Sequence, residues 1–209
     1  TVIGGGLNIN GTTTFNDGLT YSTVYGTRAQ DDEISLNVPD LERVLAVFES
    51  DDGSDPTLPS ITATSQSTTF TNNVIIGEQL IGATSGAVGR VVSVDSGTKI
   101  SFVYENDKFL EKDEQFTLQT SGIFANVSVL GAGDRDITKS YDIDNGQRYD
   151  FADYGRIVRK KDIEEPTRRL RIVFDYYATL ETSGVVESIN SYNDVNYSNE
   201  IPFIVDKRA

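Results

Sequence analysis

The side chains of this sequence with most scope for chemistry are its carboxylates. Asp142, Asp144, Asp150 and Asp153 crowd into YDIDNGQRYDFADYGRIVRKKD (141–162), and clustered carboxylate oxygens are the ligands that a calcium ion takes. The run departs from the D-x-[DN]-x-[DN]-G calcium loop, because Gly146 stands where a third acidic or amide side chain is required. The alternative is a polar turn, in which Asn145-Gly146 is a strong turn dipeptide and the aspartates cap the segment that follows. A second chemistry open to carboxylates is glycoside hydrolysis, which needs two of them about 5–10 Å apart across a cleft. With 32 acidic residues in the chain, abundance by itself singles out no such pair.

What is missing narrows the field further. The 209 residues include no histidine, cysteine, tryptophan or methionine. Nucleophile–base triads, imidazole metal sites and general bases tuned near neutrality all normally need the histidine ring. Without thiols there are neither disulfides nor thiolate zinc sites, so burial and hydrogen bonding must hold the fold. No cofactor is implied. A net charge of -14, with an isoelectric point near 4.3, opposes attraction to nucleic acid or to an anionic membrane surface. No apolar run approaches the roughly 20 residues of a membrane span, and TVIGGGLNIN at the start lacks the basic-then-apolar layout of a signal peptide. The lack of any methionine, an initiator included, points to a piece of a longer polypeptide. The sequons at Asn10, Asn126 and Asn196 are what an Asn-, Ser- and Thr-rich chain produces by chance.

Basic residues are unevenly spread. Arg156, Arg159, Lys160, Lys161, Arg168, Arg169 and Arg171 gather a large share of the 18 lysines and arginines into one short stretch. In so acidic a chain the strip suggests a contact surface for an acidic patch on another copy or on a neighbouring protein. A solvated loop is the plain alternative. Poor aromatic interleaving and a repulsive overall field speak against nucleic acid.

The elements that must position these groups are strands. Helical spacing of apolar residues is rare, whereas Thr, Val, Ile, Tyr and Phe cluster in short runs broken by Gly, Asn and Asp. The reading is all-β, with strands expected at 20–26, 33–38, 43–50, 99–105, 169–178 and 185–192. RVVSVDSGTKISFVY is the clearest hairpin, turning at Asp95-Ser96-Gly97. In the strand from Leu170 to Tyr177, Leu170, Ile172, Phe174 and Tyr176 share one face.

GEQLIGATSGAVGRVVSV and DEQFTLQTSGIFANVSVL form a repeat 36 positions apart. Glu78, Gln79, Thr84-Ser85-Gly86 and Val91 coincide with Glu114, Gln115, Thr120-Ser121-Gly122 and Val127. Each copy reads as a strand, a tight Thr-Ser-Gly turn and a second strand, and the two pseudo-repeats close into a small β-barrel. Gly82, Gly86 and Gly89 then supply positive φ, bulges and corner bends. A phosphate cradle would need a helix after the glycines, and a β run follows instead. The flanks together offer about seven strands, the number of an immunoglobulin-like or fibronectin type III-like sandwich. The expected layout is an N-terminal arm (1–15), a discontinuous sandwich (16–66 with 136–209) and an inserted barrel (67–135).

DIDNGQRYDFADYGRIVRKK, PTRRLRIVFDYY and SYNDVNYSNEIPFI resemble segments of large virion structural proteins of contractile-tailed marine phages, especially cyanophages. GEQLIGATSGAVGRVVSV resembles a small module that recurs in their tail and baseplate proteins. The resemblance spans about 75–205 and is most specific at Asn145-Gly146-Gln147-Arg148, Gly155-Arg156-Ile157 and Phe174-Asp175-Tyr176. It implies a non-enzymatic structural module of a tail, baseplate or fibre protein, assembled in the host cytoplasm and located in the virion. Its partners would be other virion proteins and copies of itself, and no catalytic residues come with it. The competing reading is a module that binds host-surface polysaccharide, with Tyr141, Tyr149, Tyr154, Tyr192 and Tyr197 as sugar-facing candidates. A carboxylate glycosidase stands third.

Overall fold

A computed structural model describes residues 2–9, 28–39, 41–147 and 153–177, and the expected strands at 20–26 and 185–192 lie outside these. The fold is all-β and has three layers. The middle layer is a sheet of four strands in the order β1 (Val2–Ile9), β13 (Leu170–Tyr177), β3 (Leu41–Glu49) and β10 (Arg135–Asp136). One face of it meets a second sheet, β11 (Tyr141–Asp144), β12 (Arg156–Arg159) and β2 (Glu33–Ser35). The other face meets a closed barrel of six strands, β4 (Ser60–Thr64), β7 (Lys99–Tyr104), β6 (Val88–Val94), β5 (Gln79–Gly82), β8 (Gln115–Leu118) and β9 (Phe124–Gly131). No helix among the described residues is long and apolar enough to cross a membrane.

Alternation along β13 explains its place between two layers. Leu170, Ile172 and Phe174 join Leu41, Val47, Ile34, Ile157 and Tyr141 in the core between the sheets. Val173 points the other way and packs with Ala46, Phe48, Leu58 and Val103 against the barrel. A strand covered on both faces reads as a nearly continuous apolar run, as RIVF does here. The barrel therefore does not project freely. Its β7 side and the preceding Leu58 cover apolar residues that the middle sheet would otherwise show to water. Each fully buried Leu, Ile or Phe in these layers is worth about 1.5–3 kcal/mol.

The barrel is two β-β-β units related by a local dyad. Ile61 faces Ile100 where β4 meets β7, and Ile81 faces Thr117 where β5 meets β8, so the axis runs through opposite walls. The pairing repeats in detail. Gly77 N–H donates to Val91 and Asp113 N–H to Val127, while Gly82 N–H donates to Ala87 and Leu118 N–H to Ile123. Left-handed φ recurs at Gly77 and Asp113 (88° and 65°) and in the turns at Gly86 and Gly122 (62° and 71°). Register shifts that pass over Val92 in β6 and Ser128 in β9 sit at equivalent places and tighten the barrel.

Three expectations are corrected here. Residues 2–9, expected within an arm, form edge strand β1 along the whole of β13. The barrel begins at Ser60 rather than 67, because Ile61 supplies one half of the dyad pair, and β10 returns the chain to the middle sheet at Arg135. Gly82 and Gly89 are not positive-φ residues; they are sites of close approach. A Cβ on Gly82 would stand 2.6 Å from Glu114 Oε1 and 2.7 Å from Leu110 Cδ2, and one on Gly89 would stand 2.7 Å from Phe102 Cδ2. At the barrel's neck, Thr57 and Asp134 hydrogen-bond through Thr57 N and Oγ1.

Replacing Gly82 by alanine should cost about 2 kcal/mol through overpacking, whereas Gly122→Ala, which meets nothing within 4 Å, should cost about 1 kcal/mol from its backbone alone. Urea denaturation of the two variants measures this, and equal losses would remove close approach as the reason for Gly82.

Candidate functional site

Among the described residues, five polar or charged ones are buried: Glu49, Ser50, Glu78, Glu114 and Asp175. Glu78 and Glu114 are dyad mates, and each caps the other unit's Thr-Ser-Gly turn. Glu78 Oε2 accepts from the backbone N–H of Thr120 and Ser121, at 3.0 and 2.8 Å, and Oε1 accepts from Ile75 N–H. Glu114 Oε1 accepts from Thr84 N–H, Ser85 N–H and the Ser85 hydroxyl, at 2.7, 2.6 and 2.9 Å, and Oε2 accepts from Glu111 N–H. Burial alone would push the Glu114 carboxyl up, but the donors from Glu111, Ser85 and Thr84 outweigh it and hold it below its usual range. These carboxylates are occupied by structure. Their signal in the sequence was the pair of Glu-Gln identities, with no hint that the caps cross over.

Asp175 accepts from Arg43 Nε at 3.1 Å. Arg43 also reaches Glu105 at 3.3 Å, and Glu105 takes Arg90 and Gln79 as well. This network ties the middle sheet to β5 and β6.

The acidic run and the basic strip largely neutralise one another. Arg156 pairs with Glu33, Asp144 and Asp153, and Lys160 with Asp142. Arg159 pairs with Asp32 and Glu165, and Arg169 with Asp55; Arg171 donates to the Pro56 carbonyl. Lys161 and Arg168 have no ion pair among the described residues. Of the calcium candidates, Asp144 and Asp153 are thus drawn to a guanidinium, Asp150 lies outside the described residues, and no cluster of three or more metal-binding side chains exists among those described. At Asn145-Gly146, where a turn was expected, the backbone is irregular with neither a turn nor a bend, although Gly146 has φ 78° and its N–H donates to Asp144 Oδ1.

A cavity of about 230 Å³ opens at the end of the sheet pair between β3, β10, β11, β12 and the 163–166 segment. Glu49 forms one side, its Oε1 accepting from Thr167 and Arg168 N–H and its Oε2 from Arg135 Nη1. The Tyr141 hydroxyl and Arg159 Nη1 are buried in its lining without a hydrogen-bond partner among the described residues. Burial, opposed by Arg159 and reinforced by Glu49, pushes the Tyr141 phenol up to about 12. It is therefore a neutral donor across the physiological range. Glu49 was legible only as an acid ending an apolar strand, and sequence reading joined neither it nor Tyr141 to Arg159. Of the sugar-facing tyrosines, Tyr141 is buried, Tyr154 is 49% exposed, and the other three lie outside the described residues.

Comparison with protein-family models, curated proteins and solved structures finds no match.

Glu114→Gln should cost about 2–3 kcal/mol, since an amide cannot serve all the donors that the carboxylate does. Because the folded carboxyl is held low, its stabilising contribution is complete above the usual glutamate range and is lost as pH falls through and below it. Acid titration of stability should be shallower in Glu114→Gln than in the parent; superimposable acid limbs would dismiss this account. Tyr141 acts at the other end. Its raised value means stability is intact below the usual tyrosine range and declines as pH climbs towards 12. In Tyr141→Phe that alkaline decline should be smaller.

Proposed function

We propose that the chain is a non-enzymatic structural module of a phage tail, baseplate or fibre protein, located in the virion and assembling through protein–protein contacts. In this reading the two sheets are an immunoglobulin-like or fibronectin type III-like sandwich, supported by the count of four and three strands; the strand order, with β1 beside β13, is its own. The observation that carries the proposal is the barrel's outer wall. Val88, Ile81, Thr117 and Phe124 stand side by side across β6, β5, β8 and β9, outward and centred on the dyad. Phe124 is 47% exposed.

An isologous contact sets the same patch of two copies against each other, and this largely apolar row, with Phe124 exposed, offers such a patch. A second copy is therefore the occupant assigned to it. The wall is also firmly held, through the Arg43–Glu105 network and the apolar layer beneath the barrel. That suits a part which transmits load. The non-enzymatic side of the reading is supported by the use of Glu49, Glu78, Glu114 and Asp175 as hydrogen-bond acceptors within the fold.

Light scattering of the full chain across protein and salt concentration tests this. Association should persist in high salt, because the row is apolar, and Phe124→Asp should reduce the mass to that of one chain. A parent chain that stays monomeric at every concentration defeats the self-association. Binding of the monomer to a host polysaccharide would put the adhesion reading in its place.

A further inference from the structure

The cavity at the end of the sheet pair contains two donors with nothing to donate to. The Arg159 side chain is 8% exposed, and its Nη2 is taken by Asp32 and Glu165. Its Nη1 has no acceptor among the described residues, nor has the hydroxyl of Tyr141, which is 7% exposed. Buried polar groups are nearly always satisfied, so two orphans lining one cavity mark a place built for an acceptor that comes from elsewhere.

Charge decides what kind of acceptor. Arg159 already faces two carboxylates, Glu49 is paired with Arg135, and Glu164 adds another negative charge to the lining. An anion would meet more negative than positive charge there. A cation would leave both orphan donors unused. A neutral group with a carbonyl oxygen suits the site best, and one that also carries an N–H can use the carboxylates nearby.

Size points the same way. About 230 Å³ falls short of the roughly 300–1,000 Å³ of sites for larger small molecules. It exceeds by several times the roughly 30 Å³ share of one water. A single side chain fits. Ile137, Ile163 and Pro166 supply an apolar wall for its stem. No exposed aromatic ring is among the lining residues to stack against a sugar face.

We propose that this cavity receives the uncharged carboxamide side chain of an asparagine or glutamine presented by a partner polypeptide, its carbonyl oxygen accepting from Arg159 Nη1 and the Tyr141 hydroxyl. The NH2 group donates to a carboxylate of the lining, and the stem lies on the apolar wall. None of these residues belongs to the barrel, so the proposal stands or falls apart from the contact assigned to the barrel's outer wall.

The test is a nuclear magnetic resonance titration of the full chain with N-acetylasparagine N-methylamide and its glutamine counterpart. The aspartate counterpart and N-acetylglucosamine serve as comparisons. At least one carboxamide should bind saturably in about the millimolar range, shifting signals of the cavity residues. The aspartate counterpart should bind about tenfold more weakly. Tyr141→Phe should weaken carboxamide binding about fivefold to tenfold and leave the melting temperature unchanged or raised, since the hydroxyl it removes has no partner within the fold. No saturable shift with either carboxamide, equal binding of the aspartate probe, or preference for N-acetylglucosamine would each overturn the proposal. So would a Tyr141→Phe variant that melts lower and binds as before, because the hydroxyl would then be satisfied by internal water.

Discussion

Everything in this fold leans on the ladder between β3 and β13. Among the described residues this strand pair has apolar partners on both faces, the sheet of β11, β12 and β2 on one side and the barrel on the other. Its register shifts at Val173/Phe174 and Asp175/Tyr176 pass over Leu45 and Glu42 of β3. The same ladder carries Glu49 to the cavity and Arg43 to the network beneath the barrel. A buried strand pair of this kind leaves little freedom to its neighbours, because shifting it by one residue would exchange the two cores.

Within the barrel the governing device is reciprocity. Glu78 and Glu114 each belong to one β-β-β unit and satisfy the turn of the other, so neither turn is complete until both units are in place. The symmetry is not perfect. Ser85 Oγ donates to Glu114, whereas its mate Ser121 Oγ is buried without a partner among the described residues. Gly82 makes room for the Glu114 carboxylate where its mate Leu118 fills the core. One unit has given up apolar volume for a further hydrogen bond.

How much of this could be read from the sequence depends on whether the information is local. β7 and β13 were evident because their alternation is local and strong. The repeat was evident because Thr-Ser-Gly and Glu-Gln recur together. β1 was missed because Gly4, Gly5 and Gly6 carry no side chain and so show no period. β4 was assigned to the wrong module because SITAT looks like the polar flank, and its role depends on pairing with Ile100. The basic strip stood out as a run of like charge, but its partners Asp32, Glu33 and Asp55 come from far along the chain. The cavity was invisible for the same reason: positions 49, 141 and 159 are brought together only by the packing of the two sheets.

The neck of the barrel bears on how the chain reaches this state. Glu49 and Arg135 are separated by 86 positions, yet they pair across β3 and β10. Closing so long a loop in a disordered chain carries a substantial entropic penalty, and it grows with loop length. The folded barrel removes most of it, because the hydrogen bonds between Thr57 and Asp134 hold the two ends together at the mouth of the insertion. To the rest of the chain, a finished barrel behaves as a short turn. An insertion of this design makes the closure of β3 with β10 a local one and shortens by its own length the pairings of β3 with β13 and of β2 with β12 that span it.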